Sequence, residues 1–284
     1  MKLILPLSII LSLHLSTALF GQPNCNWFKY QGDMKKYEAC LASEKCAGHY
    51  QFSKEYQLAL DNAIDIDSSF AYAYRAKSTA YLKSGDFISW KRLMDTAVKY
   101  NASDNLDYRG WCRFQFFRDY QGAIDDILLL KKLTNNRIGY SINSDYHLDI
   151  ALSLCYKSIG QPEKAIEIFL EKMSDSTYSP GLFDFIHLGV LYLEIGDYKK
   201  AIEYLNIQES TNDLAENRFY KAITYRHLKD KENWELNLNK SKAYYKSNKK
   251  MFDPYTEQID KIYLEDILEE EKSGLQQPFG GKGK

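Results

Sequence analysis

The stretch that most constrains the fold of this chain is residues 182–205, LFDFIHLGVLYLEIGDYKKAIEYL. Its first half repeats apolar residues three and four positions apart, which predicts a helix with one buried face. Gly196 and Asp197 then break the pattern, and a second helix should begin near Tyr198. A helix pair of this kind cannot bury its apolar face alone, so the chain should stack several pairs.

Gly189 lies inside the first of these two predicted helices. Glycine in a helix interior costs roughly 1 kcal/mol relative to alanine, so its presence needs a reason. A close approach by the second helix supplies one, because Ala201 is small and would face Gly189 across the pair. We therefore expect the two backbones to come close together at this point.

Seven residues of the stretch form a recognisable set: Leu188, Gly189, Tyr192, Gly196, Asp197, Tyr198 and Ala201. The set resembles the signature of the tetratricopeptide (TPR) repeat, whose period is about 34 residues. Looser copies are found at about 37–70, 71–104, 105–143, 145–180 and 211–248. Stretches such as RGWCRFQFFRDYQGAIDDI further resemble an uncharacterised group of exported bacterial TPR proteins, which has no known activity. The resemblance implies an all-α, right-handed superhelical α-solenoid of about six TPR-like helix pairs.

The ends of the chain read differently from the repeat array at 37–248. Residues 1–21 begin with Lys2 and continue as a mostly apolar run, which is typical of a secretory signal peptide. An uncleaved N-terminal anchor is the alternative. Residues 22–36 read as a leader that covers the first repeat, 249–272 as a C-terminal capping helix, and 273–284 as a disordered tail. The protein should therefore be exported, to a bacterial periplasm or outside the cell.

Five cysteines remain after residue 21, and three of them, Cys25, Cys40 and Cys46, cluster near the start. In an oxidising compartment a disulfide among these three is plausible, either Cys25–Cys40 or Cys25–Cys46. Cys112 and Cys155 fall at tight positions of the repeats and read as small buried residues. Paired CxxC motifs and a matching histidine set are missing, so we expect neither a metal site nor a cofactor.

The overall charge balance argues against a nucleic-acid partner. The net charge is −1 and the pI about 6.5, so no global field attracts nucleic acid or an anionic membrane. Aromatic residues make up 14% of the chain, with 23 tyrosines, and we interpret them as helix-packing residues. The pair Asp125 and Asp126 and the run 269–271 read as solvated helix faces.

The candidate site follows from the resemblance, because the first helices of TPR pairs line a concave groove that often holds an extended peptide. Projecting that geometry onto this chain predicts a basic and aromatic groove. Its predicted peptide-binding residues are Tyr72, Arg75, Lys83, Arg109, Arg113, Phe117, His147, Lys157 and Arg226. Our sharpest hypothesis is that Arg75, Arg109 and Arg113 receive an acidic side chain or a terminal carboxylate of a partner. The alternative is that these arginines pair with Asp and Glu of neighbouring helices.

A longer connection, NNRIGYSINSD at 135–145, interrupts the repeat spacing. Such an insertion maps to a loop at one edge of a helical stack, a common place for function, although a tolerated surface loop is the alternative.

Three functional hypotheses follow. The first is an exported, non-catalytic scaffold that binds a protein or peptide in its concave groove, and the basic groove favours an acidic one. The second is a structural subunit of a cell-envelope assembly that uses its convex face or terminal cap. The third, an enzyme, would need a buried polar cluster, and no GxSxG, HExxH or phosphate-binding glycine loop supports it.

Overall fold

The computed structural model describes residues 22–276, and these fold into helices joined by short turns and loops. The predicted signal peptide and residues 277–284 lie outside the described range. The helices of the first part are α1 (Cys25–Tyr30), α2 (Met34–Glu44), α3 (Lys54–Ile66), α4 (Ala71–Ser84) and α5 (Phe87–Tyr100). Those of the second are α6 (Leu106–Cys112), a π-helix (Arg113–Phe117), α7 (Tyr120–Leu133), α8 (Leu148–Ser158), α9 (Pro162–Ser174), α10 (Asp184–Glu194), α11 (Tyr198–Asn212), α12 (Ala215–His227), α13 (Lys231–Lys246) and α14 (Leu264–Gln276).

The predicted all-α class is confirmed, with six consecutive helix pairs between α2 and α13. The turn inside the pair α10–α11 shows why the sequence breaks where it does. Gly196 adopts a φ of 81°, which favours glycine, and the Asp197 carboxylate accepts the backbone N–H of Lys200 at 3.1 Å. Thus the predicted break residues end one helix and cap the next.

The close approach predicted at Gly189 is also confirmed. A β-carbon added to Gly189 would lie 2.7 Å from Leu205 Cγ and 3.4 Å from the carbonyl oxygen of Ala201. Leu205, one turn beyond Ala201, is therefore the nearest side chain on α11. No side chain larger than a hydrogen fits between α10 and α11 without movement.

We predict that Gly189→Ala lowers the free energy of unfolding by about 1–2 kcal/mol, because the clash with Leu205 exceeds the gain in helix propensity. Urea unfolding followed by circular dichroism measures the change. Gly110→Ala is the matched control, since its added β-carbon would meet Asp126 Cβ at 3.2 Å and Ile127 Cγ1 at 3.3 Å, a milder crowding. A Gly189→Ala protein as stable as the Gly110→Ala protein would contradict the prediction.

The chain divides into two units, with the boundary after Tyr100. The first unit holds α1–α5 around a core that includes Cys40, Leu60 and Ala63. A disulfide joins Cys25 to Cys40 and so ties α1 to α2. Cys46 is buried and carries a free thiol, as do Cys112 and Cys155 in the second unit.

The second unit holds α6–α14. The first helix of each of its pairs contacts the first helix of the next pair: α6 contacts α8, α8 contacts α10, and α10 contacts α12. We call α6 with its π-helix, α8, α10 and α12 the inner helices. Between residues 22 and 276, no helix combines the length and the apolar character needed to span a membrane.

The C-terminal region differs from the expected helix over 249–272. Residues 249–263 contain no helix, and α14 runs from Leu264 into the segment expected as a tail, ending at Gln276. α14 packs on α12 and α13, where Ile267 is fully buried. The Trp234 indole N–H donates to Glu270 Oε1 at 2.8 Å, so the expectation of a solvated face is wrong for Glu270.

Candidate functional site

The predicted groove residues fall into both units, and those of the first unit all lie on α4. Tyr72 packs against the first-unit core, and burial, followed by the nearby Cys46 and Tyr56, raises the pKa of its hydroxyl. Lys83 Nζ donates to Gln51 Oε1 at 2.8 Å, and Arg75 is half-buried. Tyr72 is thus a packing residue of this unit.

Arg109 and Arg113 converge on one buried carboxylate of α7. Arg109 donates from Nε and Nη2 to the two oxygens of Asp126 at 2.9 and 2.6 Å, and Arg113 Nη1 lies 3.1 Å from Asp126 Oδ2. The Asp126 side chain is only 3% exposed. The arginines therefore pair with a neighbouring helix, as in the alternative interpretation, and the expectation of a solvated Asp126 is wrong.

The four remaining groove residues are not gathered on one surface. Phe117 ends the π-helix and is half-buried. His147 is buried at the start of α8, where its Nδ1 accepts the N–H of Asp149 at 3.2 Å, and burial followed by the charge of Lys172 lowers its pKa. Arg226 Nη2 lies 3.1 Å from Glu270 Oε2 of α14. Lys157 forms an ion pair with Asp260, which is described below.

The inner helices of the second unit are in contact with residues 251–262, which we call the inner segment. At its far end Gln115 donates to Thr256 Oγ1, and Arg118 donates to the carbonyl of Glu257. The Tyr146 hydroxyl, just before α8, donates to Gln258 Oε1 at 3.0 Å. The inner segment therefore reaches from α12 to the π-helix and returns.

Asp260 is the residue of the inner segment that contacts basic side chains of two inner helices. Its side chain is 7% exposed and forms ion pairs with Lys157 of α8 and with His187 of α10, whose Nδ1 lies 2.7 Å from Oδ2. Burial raises the pKa of Asp260, but Lys157 and His187 outweigh burial and hold the pKa below its usual value. Asp260 is thus an anionic link between the inner segment and two inner helices.

A chain of hydrogen bonds links Gln258 through Tyr146 and His187 to Asp260. The Tyr146 hydroxyl has one hydrogen, which goes to Gln258, and its oxygen lies 2.9 Å from His187 Nε2. The Asp260 carboxylate can only accept, so His187 Nδ1 donates to it. The ring of His187 is thus held between Asp260 and Tyr146.

The two ends of the inner segment are anchored at α12. Met251 is buried against Ile186, Val190 and Leu214, and Ile262 joins the cluster around Trp234. The Met251 backbone N–H donates to Glu216 Oε2 at 3.0 Å. Burial raises the pKa of Glu216, and the N–H groups of Met251 and Ile262 act in the opposite direction. Lys157, one of the predicted groove residues, therefore meets a carboxylate of the chain's own inner segment.

A cleft of about 500 Å³ opens beside the inner segment, and we call it the edge cleft. Three stretches line it, 143–145, 180–183 and 252–255, together with Gln258. Leu182, Phe252 and Tyr255 are 70%, 76% and 80% exposed there. The first stretch belongs to the insertion at 135–145. None of the predicted groove residues lies in the other two, although two proline-containing stretches with large apolar residues, PGLF and FDPY, mark them.

Residues 22–276 contain no group of three or more His, Cys, Asp or Glu placed to hold a metal ion. The Asp260 network is buried, and of its members only Gln258 lines the edge cleft.

Comparison with known proteins agrees with this architecture. The family model for the tetratricopeptide repeat matches residues 185–206, which is the pair α10–α11. This pair is a tetratricopeptide repeat. The solved structure of PilF from Pseudomonas aeruginosa is similar in fold to this chain, with a TM-score of 0.56 and 14% identity, covering 75% of this chain and 94% of that one. PilW, described as a widely conserved type IV pilus biogenesis factor, has a TM-score of 0.55 and 12% identity with the same coverage. No curated protein matches the sequence.

Proposed function

We propose that this protein is an exported, non-catalytic scaffold that binds a partner protein at the edge cleft. The observation that carries the proposal is the cluster of exposed apolar side chains of Leu182, Phe252 and Tyr255 around one concave surface. Large apolar side chains grouped at a concave surface are typical of protein-binding sites.

The inner helices of the second unit are a poorer binding surface than the sequence suggests, because the inner segment already covers them. A partner that replaced it would have to expose Met251 and Ile262 and separate Asp260 from Lys157 and His187. An acidic partner segment would therefore compete with Asp260. The edge cleft needs no such displacement.

The similarity of fold to PilF and PilW supports a broader setting for this role. PilW is described as a pilus biogenesis factor. By fold-level analogy alone, we propose that this protein also supports the assembly of a multiprotein structure after export, in the periplasm or outside the cell. The Asp260 network is a buried polar cluster of the kind that an enzyme would need, but of its members only Gln258 lines the edge cleft, and this lack of access supports a non-catalytic role.

Photo-crosslinking in the producing cells tests the proposal. We expect the photoreactive Phe252→benzoylphenylalanine and Tyr255→benzoylphenylalanine proteins to form a crosslink to the same partner, which Leu182→Ser abolishes. The matched control is benzoylphenylalanine in place of Leu236, an exposed leucine of α13 outside the cleft. Crosslinks from Leu236 in the absence of crosslinks from the cleft would overturn the proposal and favour a structural subunit that uses its convex face or terminal cap.

A further inference from the structure

Two carboxylates lie among the apolar residues of the edge cleft. Asp145 comes from the insertion and Asp253 from the inner segment. Partial burial, followed by the negative charge of Asp253, raises the pKa of Asp145. The two carboxylates are therefore close enough to repel each other electrostatically. Both also act on the buried Tyr146 next to the cleft, so this corner of the second unit is negative.

Neither carboxylate has a cationic partner within residues 22–276. Asp253 Oδ1 accepts the backbone N–H groups of Tyr255 and Thr256, and Asp145 accepts from the Asn143 amide. All of these donors are neutral. Four other aspartates of the second unit meet a lysine, an arginine or a histidine: Asp126, Asp149, Asp213 and Asp260. The buried Asp184, which accepts from the Tyr178 hydroxyl and from the backbone N–H of the cleft residue Gly181, adds a further carboxylate beside the cleft. The uncompensated charge is thus concentrated where the apolar surface is exposed.

The aromatic rings of the cleft strengthen the preference for a cation. The faces of tyrosine and phenylalanine attract ammonium and guanidinium groups. Phe252 directly precedes Asp253 in the sequence, and Tyr255 follows it by two residues. A basic side chain of a partner in the cleft would meet a carboxylate and an aromatic face together. Apolar residues next to it in the partner would cover Leu182.

We propose that the edge cleft binds a segment of a partner protein in which a lysine or arginine stands beside an aromatic or aliphatic residue. The inference rests on the proposed function and adds the chemistry of the partner. Clefts of a few hundred Å³ hold small groups rather than a whole helix, so the recognised segment is short, about two or three side chains. The proposed segment is basic, whereas the predicted groove residues favoured an acidic partner.

A random nonapeptide display library, panned against the full mature chain, is the probe. We expect the selected peptides to be enriched in lysine or arginine next to aromatic or aliphatic residues. Fluorescence anisotropy with the strongest selected peptide should show at least about tenfold weaker binding to the Asp145→Asn, Asp253→Asn double variant, because the rim charges are lost. The control is the Glu167→Gln, Glu203→Gln double variant, which removes the same charge from exposed positions of α9 and α11 outside the cleft.

The outcomes separate this inference from the proposed function. Selected peptides that bind through Leu182 and Phe252 but carry no cation, or that ignore the two aspartates, overturn the inference and leave the scaffold in place. A library that yields no peptide sensitive to Leu182→Ser overturns both. Residues 277–284 contain Phe279, Lys282 and Lys284 and are the competing occupant. If a chain ending at residue 276 binds the peptide about tenfold more tightly than the full chain, the chain's own tail occupies the cleft and the inference is wrong.

Discussion

Replacing Asp260 with alanine should lower the free energy of unfolding of the second unit by about 3–5 kcal/mol, one of the two largest losses that the structure predicts. The reason is that the buried Lys157 would be left with the more exposed Glu194 carboxylate at 3.3 Å, and the buried His187 would lose the acceptor of its Nδ1. The inner segment would lose its central contact with α8 and α10. Urea unfolding measures the loss, and hydrogen exchange of the α8 and α10 amides locates it.

A control for this substitution lies in the same segment. Glu257 is exposed, and its carboxylate accepts from Lys261 Nζ at 3.3 Å on the surface. Exposed ion pairs contribute little to stability, so the Glu257→Ala protein should unfold at nearly the same urea concentration as the unsubstituted protein. Equal stability of the Asp260→Ala and Glu257→Ala proteins would show that the inner segment is not held by Asp260.

The pH dependence of stability gives a second readout of Asp260. Its pKa is lowered in the folded state, so its contribution is present above its unfolded pKa, near pH 4, and is lost as the pH falls through the folded value. We therefore expect Asp260→Asn to flatten the acid limb of the stability curve below about pH 4.

The second large effect is expected at Asp126. Asp126→Ala would remove the buried carboxylate that the guanidinium groups of Arg109 and Arg113 share, and Arg113 would keep a longer contact of 3.5 Å with the exposed carboxylate of Asp119. We expect a loss of about 3–5 kcal/mol in the free energy of unfolding, measured by urea titration. Asp125→Ala is the matched control, because Asp125 is the exposed neighbour and accepts only from Gln121 at 2.9 Å.

This pair of substitutions also decides the role of the two arginines. If Asp126→Ala were no more harmful than Asp125→Ala, Arg109 and Arg113 would not depend on Asp126 and would be available to a ligand. With the expected result, their function is to hold the third helix pair together.

The helix pairs were predictable because their signals are local. Gly189, Gly196 and Asp197 each act within one pair, through a close approach, a positive φ and a helix cap. The period of the repeat then places the other pairs. None of these signals depends on residues far away in the sequence.

Long-range pairing is what the sequence could not show. Asp125 and Asp126 are adjacent acids on one helix, and only the position of α6 tells which one is buried. Likewise, a helical spacing relates Ile259, Ile262, Tyr263 and Ile267. Residues 249–263 are nevertheless not helical, because the inner helices bind that segment through Asp260 and Gln258. Tertiary contacts there override local propensity.

The candidate site was predictable only in part for the same reason. The insertion at 135–145 stood out by its length, and it does contribute to the edge cleft. Leu182 and Phe252 come from stretches about 70 residues apart, and no periodicity relates them. The predicted groove residues followed the geometry of the inner helices, but the covering segment was not foreseen.

The anchoring of Met251 and Ile262 beside the same glutamate closes residues 252–261 into a loop with a fixed stem. A fixed stem lets the tip change without cost to the scaffold. Substitutions at 252–255 would therefore retune recognition while the surrounding helices stay as they are, much as hypervariable loops do on an immunoglobulin framework. The same position is a natural graft site for a foreign epitope.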